Sequence, residues 1–257
     1  MNYLQIIIAL YTIVRREWVR TFRIWVGTLL PPVVTTLLYF LIFGHVIGQR
    51  VGHLDGHPYI EFIAPGLIIM AIINHAYSCS VSAFFGMKFH RDIDEILITP
   101  MPVWVLIAGF VCAGMLRGII VGVLVSTVAL FFVHFSVHSF LWLLISALLS
   151  SAIFSLAGVI NAIFARTFDH ISLIPTFILT PLTYLGGVFY SVRLLPGFWR
   201  TLSTVNPIYY IISSFRYALL GTTGGSTLIT GSMLVLIFGL LFVWCHYLIY
   251  RSPWIKK

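Results

Sequence analysis

The chain has 257 residues, 60% of them hydrophobic and 9% charged, with a mean hydropathy of +1.04 and a formal net charge of +8. One soluble core cannot hide that much apolar surface, so the composition predicts an all-α integral membrane protein forming a single domain over residues 1–257. Its bases lie between apolar runs or at their ends, with no stripe of interleaved aromatics, which speaks for positive flanks of membrane helices and for no nucleic-acid partner.

At the start, the apolar run Met1–Val14 is too short for a hydrocarbon layer of about 30 Å. Arg15, Arg16, Arg20 and Arg23 follow that run instead of preceding it, the reverse of a secretory signal. With Trp18, Phe22 and Trp25 among the arginines, residues 1–25 read as an interfacial helix, Tyr3–Trp25, lying on membrane lipids. Six spans are expected after it: Ile24–Phe43, Tyr59–Phe85, Val103–Val133, Phe140–Ala165, Ile171–Tyr190 and Leu228–Tyr250. That layout puts Arg15, Arg16, Arg20, Arg23, Lys88, Arg91, Arg166, Arg251, Lys256 and Lys257 on one side and Arg50, Arg193, Arg200 and Arg216 on the other. The bias predicts both termini in the cytoplasm. Cys79, Cys112 and Cys245 sit inside apolar runs, which suggests neither a disulfide framework nor a zinc site.

Residues 86–102 are the most charged segment. Lys88 with Asp92 and Arg91 with Glu95 have i,i+4 spacing, Asp94 adds a further charge, and Phe89, Ile93, Ile96 and Leu97 share the opposite face. A short amphipathic cytoplasmic helix is expected, ended by Pro100 and Pro102. By itself it reads equally as a connector resting on lipid.

Polar groups inside apolar runs are costly unless paired. Asn74 and His75, close to Tyr77 and Ser78, are expected either to line a path or to fix packing through an interhelical bond. Thr176, Thr180 and Thr183 flank Pro175 and Pro181 and are placed to satisfy carbonyls freed by those breaks. Glu61 is expected to pair with an outer arginine such as Arg216 or Arg193. Arg117 lies beside Gly114, Gly118 and Gly122, a small-residue ridge that admits another helix of this chain or of a second copy. His53 with His57 and His134 with His138 have i,i+4 spacing but no clear further ligands, so no metal site is expected.

Between Ile171 and Arg216 the chain is apolar yet repeatedly broken, by Pro175, Pro181, Gly186-Gly187, Pro196 and Pro207. Such breaks persist in a bilayer only where protein or a wet cavity surrounds them. LLPGFW and NPIYYIISSF are each too short to span, and residues 190–216 read as a re-entrant outer hairpin. Gly186-Gly187, Leu195-Pro196, Asn206-Pro207-Ile208-Tyr209 and Arg216 resemble the signature of the ABC-2-type transporter permeases. PLTYLGGVFYS, the Phe-Asp at Asp169 and NPIYY resemble the YadH-like branch.

The resemblance implies a bacterial inner-membrane exporter subunit, multi-pass, acting as a homodimer with two copies of a separate ABC ATPase subunit. Residues 86–102 would then be the coupling helix, spans two and five, with Tyr184, would line the path, and Phe189, Tyr190, Trp199, Asn206, Pro207, Tyr209 and Arg216 would belong to an outer gate. ATP and magnesium would be bound by the partner, since no GxxxxGK[ST] loop occurs in this chain. No cofactor or catalytic constellation is expected here, and the cargo would be a lipid, a lipid-linked glycan or a hydrophobic drug. A carrier running on an ion gradient, with Glu61, His75, Asp169 and Arg117 as relay groups, is the alternative.

Overall fold

The computed structural model describes residues 3–93, 101–221 and 227–251. Helix α1 (Tyr3–Arg23) is followed after Ile24 by α2 (Trp25–Tyr39), a π-helical stretch Phe40–Ile47 and the short α3 (Gly48–Val51). Pro31 and Pro32 lie inside α2, where they remove backbone donors and loosen the helix. A two-stranded antiparallel hairpin pairs His53 with Pro58 and Leu54 with His57. Asp55 and Gly56 both have positive φ, the geometry of a two-residue type I′ turn, which Asp-Gly favours.

Next come α4 (Tyr59–Phe89), α5 (Val103–Leu130) and α6 (Phe140–Phe164). The broken stretch is α7 (Phe168–Ile174), a π-helical turn Pro175–Leu179 and α8 (Thr180–Leu185); a 3-10 turn Val192–Leu194 leads to α9 (Gly197–Val205), α10 (Pro207–Leu220) and α11 (Thr227–Arg251). Among the described residues, five helices are long and apolar enough to cross a membrane: Trp25–Val51, Tyr59–Phe89, Val103–Leu130, Phe140–Phe164 and Ile229–Arg251.

Helix α4 is the centre. It is apolar all round, and Phe62, Ile63, Ile69, Ile73, Tyr77, Phe84 and Phe85 are buried among α5, α6 and α10. Lipid tails are as apolar as leucine, so close contact between such helices depends on small residues instead of on water exclusion. The ridge on α5 shows this: a Cβ on Gly114 would lie 2.1 Å from Ser80 Oγ and 2.2 Å from Ser155 Oγ, and one on Gly118 would lie 2.9 Å from Ala76 Cβ. The ridge therefore admits α4, and at Gly114 α6 as well, of the same chain. In contrast, α2 and α11 leave rows such as Leu37–Leu38 and Val235, Leu240, Val243 exposed.

Several expected boundaries move: the first span runs on from Phe43 to Val51, and the third ends at Leu130 instead of Val133. The stretch expected as Ile171–Tyr190 starts earlier, at Phe168, and stops at Leu185, because Gly186 and Gly187 turn the chain and Gly187 has a φ of +80° that only glycine adopts without strain. The charged segment expected from Gly86 begins after Phe89, since α4 runs on and Arg91, at φ +63°, breaks the helix there. Lys88 and Asp92 consequently do not share one helix.

Candidate functional site

The prolines of α2 face α4, and between the two helices lies a groove of about 180 Å³. Thr35, Thr36 and Tyr39 line it from α2, and Asn74 and His75 from α4. His75 Nδ1 is buried there with no hydrogen-bond partner among the described residues. Beyond Tyr39 the groove runs into an aromatic cluster centred on Phe189, whose ring centroid is 4.7 Å from Phe43, 5.8 Å from Tyr39 and 5.9 Å from Tyr184. Asn74, His75, Tyr184 and Phe189 are thus brought onto one side of the bundle.

Other expected path residues do not join them. Tyr77 is buried, and its hydroxyl accepts from Asn161 Nδ2 at 2.7 Å, a bond that ties α4 to α6. Thr183 is fully buried and donates to Leu179 O at 2.7 Å, while Thr180 donates to Pro175 O at 2.9 Å. Both threonines satisfy carbonyls within the broken stretch. Thr176 is exposed on the π-helical turn.

Arg117 belongs to a cluster that sequence reasoning missed. Glu17, 2% exposed, is turned from α1 towards α4 and α5 and lies 2.9 Å from Arg20 Nη2 and 3.9 Å from Arg16 Nε. Arg20 also donates to Ser82 Oγ at 3.3 Å, and the Arg117 side chain reaches the thiol of Cys79. Burial pushes the Glu17 carboxyl above its ordinary value, while Arg20, Arg16 and Arg117 pull it back. A signal was available: Glu17 is the first acidic residue of the chain, and Asp55 is the next.

At the other end of α4, Arg216 is half-buried and donates to Gly187 O at 2.9 Å and to Phe62 O at 3.3 Å, with its guanidinium 3.8 Å above the Phe62 ring. The expected pairing of Glu61 with Arg216 is not made. Instead Glu61 lies 3.8 Å from His57 Nδ1, and Arg216 takes carbonyls because Gly187 turns its peptide oxygen inward. Ser191 donates to Asp55 Oδ2 at 2.8 Å and Tyr59 to Phe189 O at 3.0 Å, which fastens the β-hairpin end to the segment after α8.

Asn206 caps α10 by accepting from Ile208 N at 3.0 Å, with Pro207 at the first helical position, and its Nδ2 donates to Leu182 O. Tyr209 and Tyr190 are half-buried, whereas Trp199 is exposed on α9.

In the charged segment, Lys88 Nζ donates to Ile163 O at 2.7 Å and Ala165 O at 2.6 Å. A lysine expected on a docking face instead closes the C-terminus of α6, where unpaired carbonyls favour a cation. Phe89 is exposed and packs 5.0 Å from Phe168, Arg91 is exposed at the break, and Asp92 lies 3.8 Å from Arg16 Nη2. Asp94, Glu95, Ile96 and Leu97 lie outside the described residues.

Of the four relay groups of the carrier reading, Arg117 comes close enough to His75 to act on it electrostatically, while Glu61 and Asp169 stand apart. Glu61 and His75 are about 21 Å apart along α4, from the helical rise. Asp169 sits next to Phe168, which contacts Phe85 and Phe89 at the far end of that helix. What the bundle offers is a groove with a few polar groups, an ionic cluster around the buried Glu17 and a segment after α8 clamped by Arg216.

The family model described as ABC-2 type transporter matches residues 8–220. The chain belongs to that family. It is 51% identical over 250 residues to the inner membrane transport permease YadH of Escherichia coli strain K12, covering 97% of this chain and 98% of that protein. It is 29% identical over 218 residues to nodulation protein J of Sinorhizobium fredii and 25% identical over 210 residues to that of Rhizobium meliloti, with 81% of this chain covered in each case and 81% and 80% of the relatives. In this ABC-2 chain the matched range contains the groove, the ionic cluster and the Arg216 clamp.

Proposed function

We propose that this chain is the permease subunit of an ATP-driven exporter in a bacterial inner membrane, with both termini in the cytoplasm. The observation that carries the reading is the family match over residues 8–220, joined to a relative of nearly equal length that is named a transport permease. In this reading the broken stretch from Phe168 to Leu185 completes six spans, and α9 and α10 form the re-entrant outer hairpin. Two copies of the chain build the path, and each binds one cytoplasmic ATPase subunit that holds ATP and magnesium.

The segment after Phe89 takes up the motion of the ATPase. Its link to α1 through Arg16 and Asp92 carries that motion towards Glu17 and Arg117, and the groove at Asn74 and His75 receives the cargo. A mostly apolar groove with a few hydroxyl, amide and imidazole groups suits an amphipathic cargo: a lipid, a lipid-linked glycan or a hydrophobic drug.

Native mass spectrometry of the tagged chain, purified in mild detergent from its own host with crosslinking, tests this. Two copies of the chain with two ATP-binding subunits are expected. A chain that stays alone after crosslinking and moves solute on an ion gradient overturns the proposal.

A further inference from the structure

A second cavity, of about 590 Å³, opens between α1, α5 and α6. Ile7, Tyr11 and Val14 line it from one side and Cys112, Leu116 and Leu148 from the other. Its size falls within the range of about 300–1,000 Å³ that holds small-molecule ligands. The lining is almost wholly apolar, and the residues on α5 run from Cys112 to Ile119, away from the charged end at Val103. The cavity therefore leads from the charged end of the bundle into its apolar middle.

One helical turn beyond Tyr11, on the same face, comes Arg15. Arg15 in turn lines a third concavity of about 490 Å³ with Thr12, Arg16, Val19, Arg20 and Arg23. Arg16 and Arg20 are engaged with Glu17 and Asp92. Arg15 and Arg23 are exposed and have no acidic partner among the described residues. A long apolar slot thus ends beside uncommitted cationic side chains, with Trp18 exposed on the next turn at the level where indoles favour the membrane interface.

We propose that this is a binding site for one anionic phospholipid, with an acyl chain in the slot and its phosphate on Arg15 and Arg23. Bulk lipid tails are as apolar as the slot, so the slot alone confers no preference among phospholipids. The preference comes from charge. Each arginine near an anionic head group is worth about fivefold in relative occupancy.

The test uses the full chain, with any partner that co-purifies, reconstituted in vesicles of equimolar phosphatidylglycerol and phosphatidylcholine, extracted in mild detergent and weighed with its retained lipids. The wild type is expected to retain phosphatidylglycerol over phosphatidylcholine. Arg15→Gln loses about fivefold of that preference, Arg15→Lys keeps it, and Leu116→Trp, which fills the slot, lowers retention of both lipids. Arg15 is exposed, so its variants fold; Arg200→Gln, exposed on α9, serves as a control for general charge and leaves the preference unchanged. Equal retention of the two lipids by the wild type overturns the proposal, as does a preference that survives both Arg15→Gln and Leu116→Trp.

Discussion

Arg216 donates from Nη2 to the carbonyl of Gly187 at 2.9 Å, so the residue that ends the broken stretch is held by one that lies 29 positions further on. The same guanidinium takes Phe62 O and covers the Phe62 ring, so one side chain joins α4, the turn after α8 and α10. Truncation to Met takes the donor from the Gly187 carbonyl, at about 1–3 kcal/mol, and the second donor from Phe62 O. Arg216→Met is therefore expected to lower the melting temperature in detergent and to open the segment from Gly187 to Leu195 to proteolysis. Arg216→Lys, with charge but no fork, is expected to fall between. Unchanged melting and protection in both variants would show that the clamp contributes nothing.

Glu17 sets a pH dependence whose sign follows from its raised folded-state value. Below the ordinary value of 4.5 the carboxyl is protonated whether or not the chain is folded, and the contribution is full. As pH rises towards the folded value, the unfolded chain loses its proton first and the contribution fades. Glu17→Gln stays neutral throughout. Its melting temperature relative to wild type is expected to rise between pH 4.5 and the folded value and then level off; a constant difference across pH would remove Glu17 from the account.

The glycine ridge predicts a graded result. Gly114→Ala pushes a methyl group against Ser80 Oγ and Ser155 Oγ, and overpacking of this kind costs about 1–3 kcal/mol. Gly239→Ala on α11, where a Cβ meets nothing within 4 Å, is expected to leave the melting temperature unchanged or slightly higher. Equal effects at the two sites would contradict the α4–α5 contact.

Lys88 closes α6, so Lys88→Met strips three carbonyls of their donor and is expected to destabilise by about 1–3 kcal/mol. ATPase binding measured on the fraction still folded should be unaffected. A variant of full stability that fails to bind the ATPase would return Lys88 to the docking face.

Cysteine labelling separates the groove from the packed core. Asn74→Cys should react with a small polar maleimide, because the groove at Asn74 is open. Tyr77→Cys should react far more slowly, being three residues further along α4 and turned inward. Similar rates at both positions would deny the groove.

Much of the architecture was legible in the sequence because its causes are local. Runs of apolar residues mark helices wherever they fall, and Gly186-Gly187 ends one through its own backbone, whereas Pro175 and Pro181 loosen theirs into a π-helical turn without ending it. The expected starts at Tyr59, Val103 and Phe140 coincide with those of α4, α5 and α6. Asn206-Pro207 is likewise a helix start by its own chemistry. Partners across long separations were not legible. Glu17 drew no reading of its own among the arginines, Lys88 read as part of a cytoplasmic helix, and Arg216 or Arg193 as the mate of Glu61; the helical period says which face a side chain occupies and nothing about what stands opposite.

By itself, then, the sequence determined the membrane class, the helices and the family signature, since hydropathy, backbone breakers and motif order are properties of neighbouring residues. Only the tertiary structure decided that the α5 ridge receives α4, that Glu17 and Arg117 share a cluster, and that Arg216 is held by backbone carbonyls. Those pairings depend on how closely two helix backbones approach, which is fixed by packing around them and not by either helix alone.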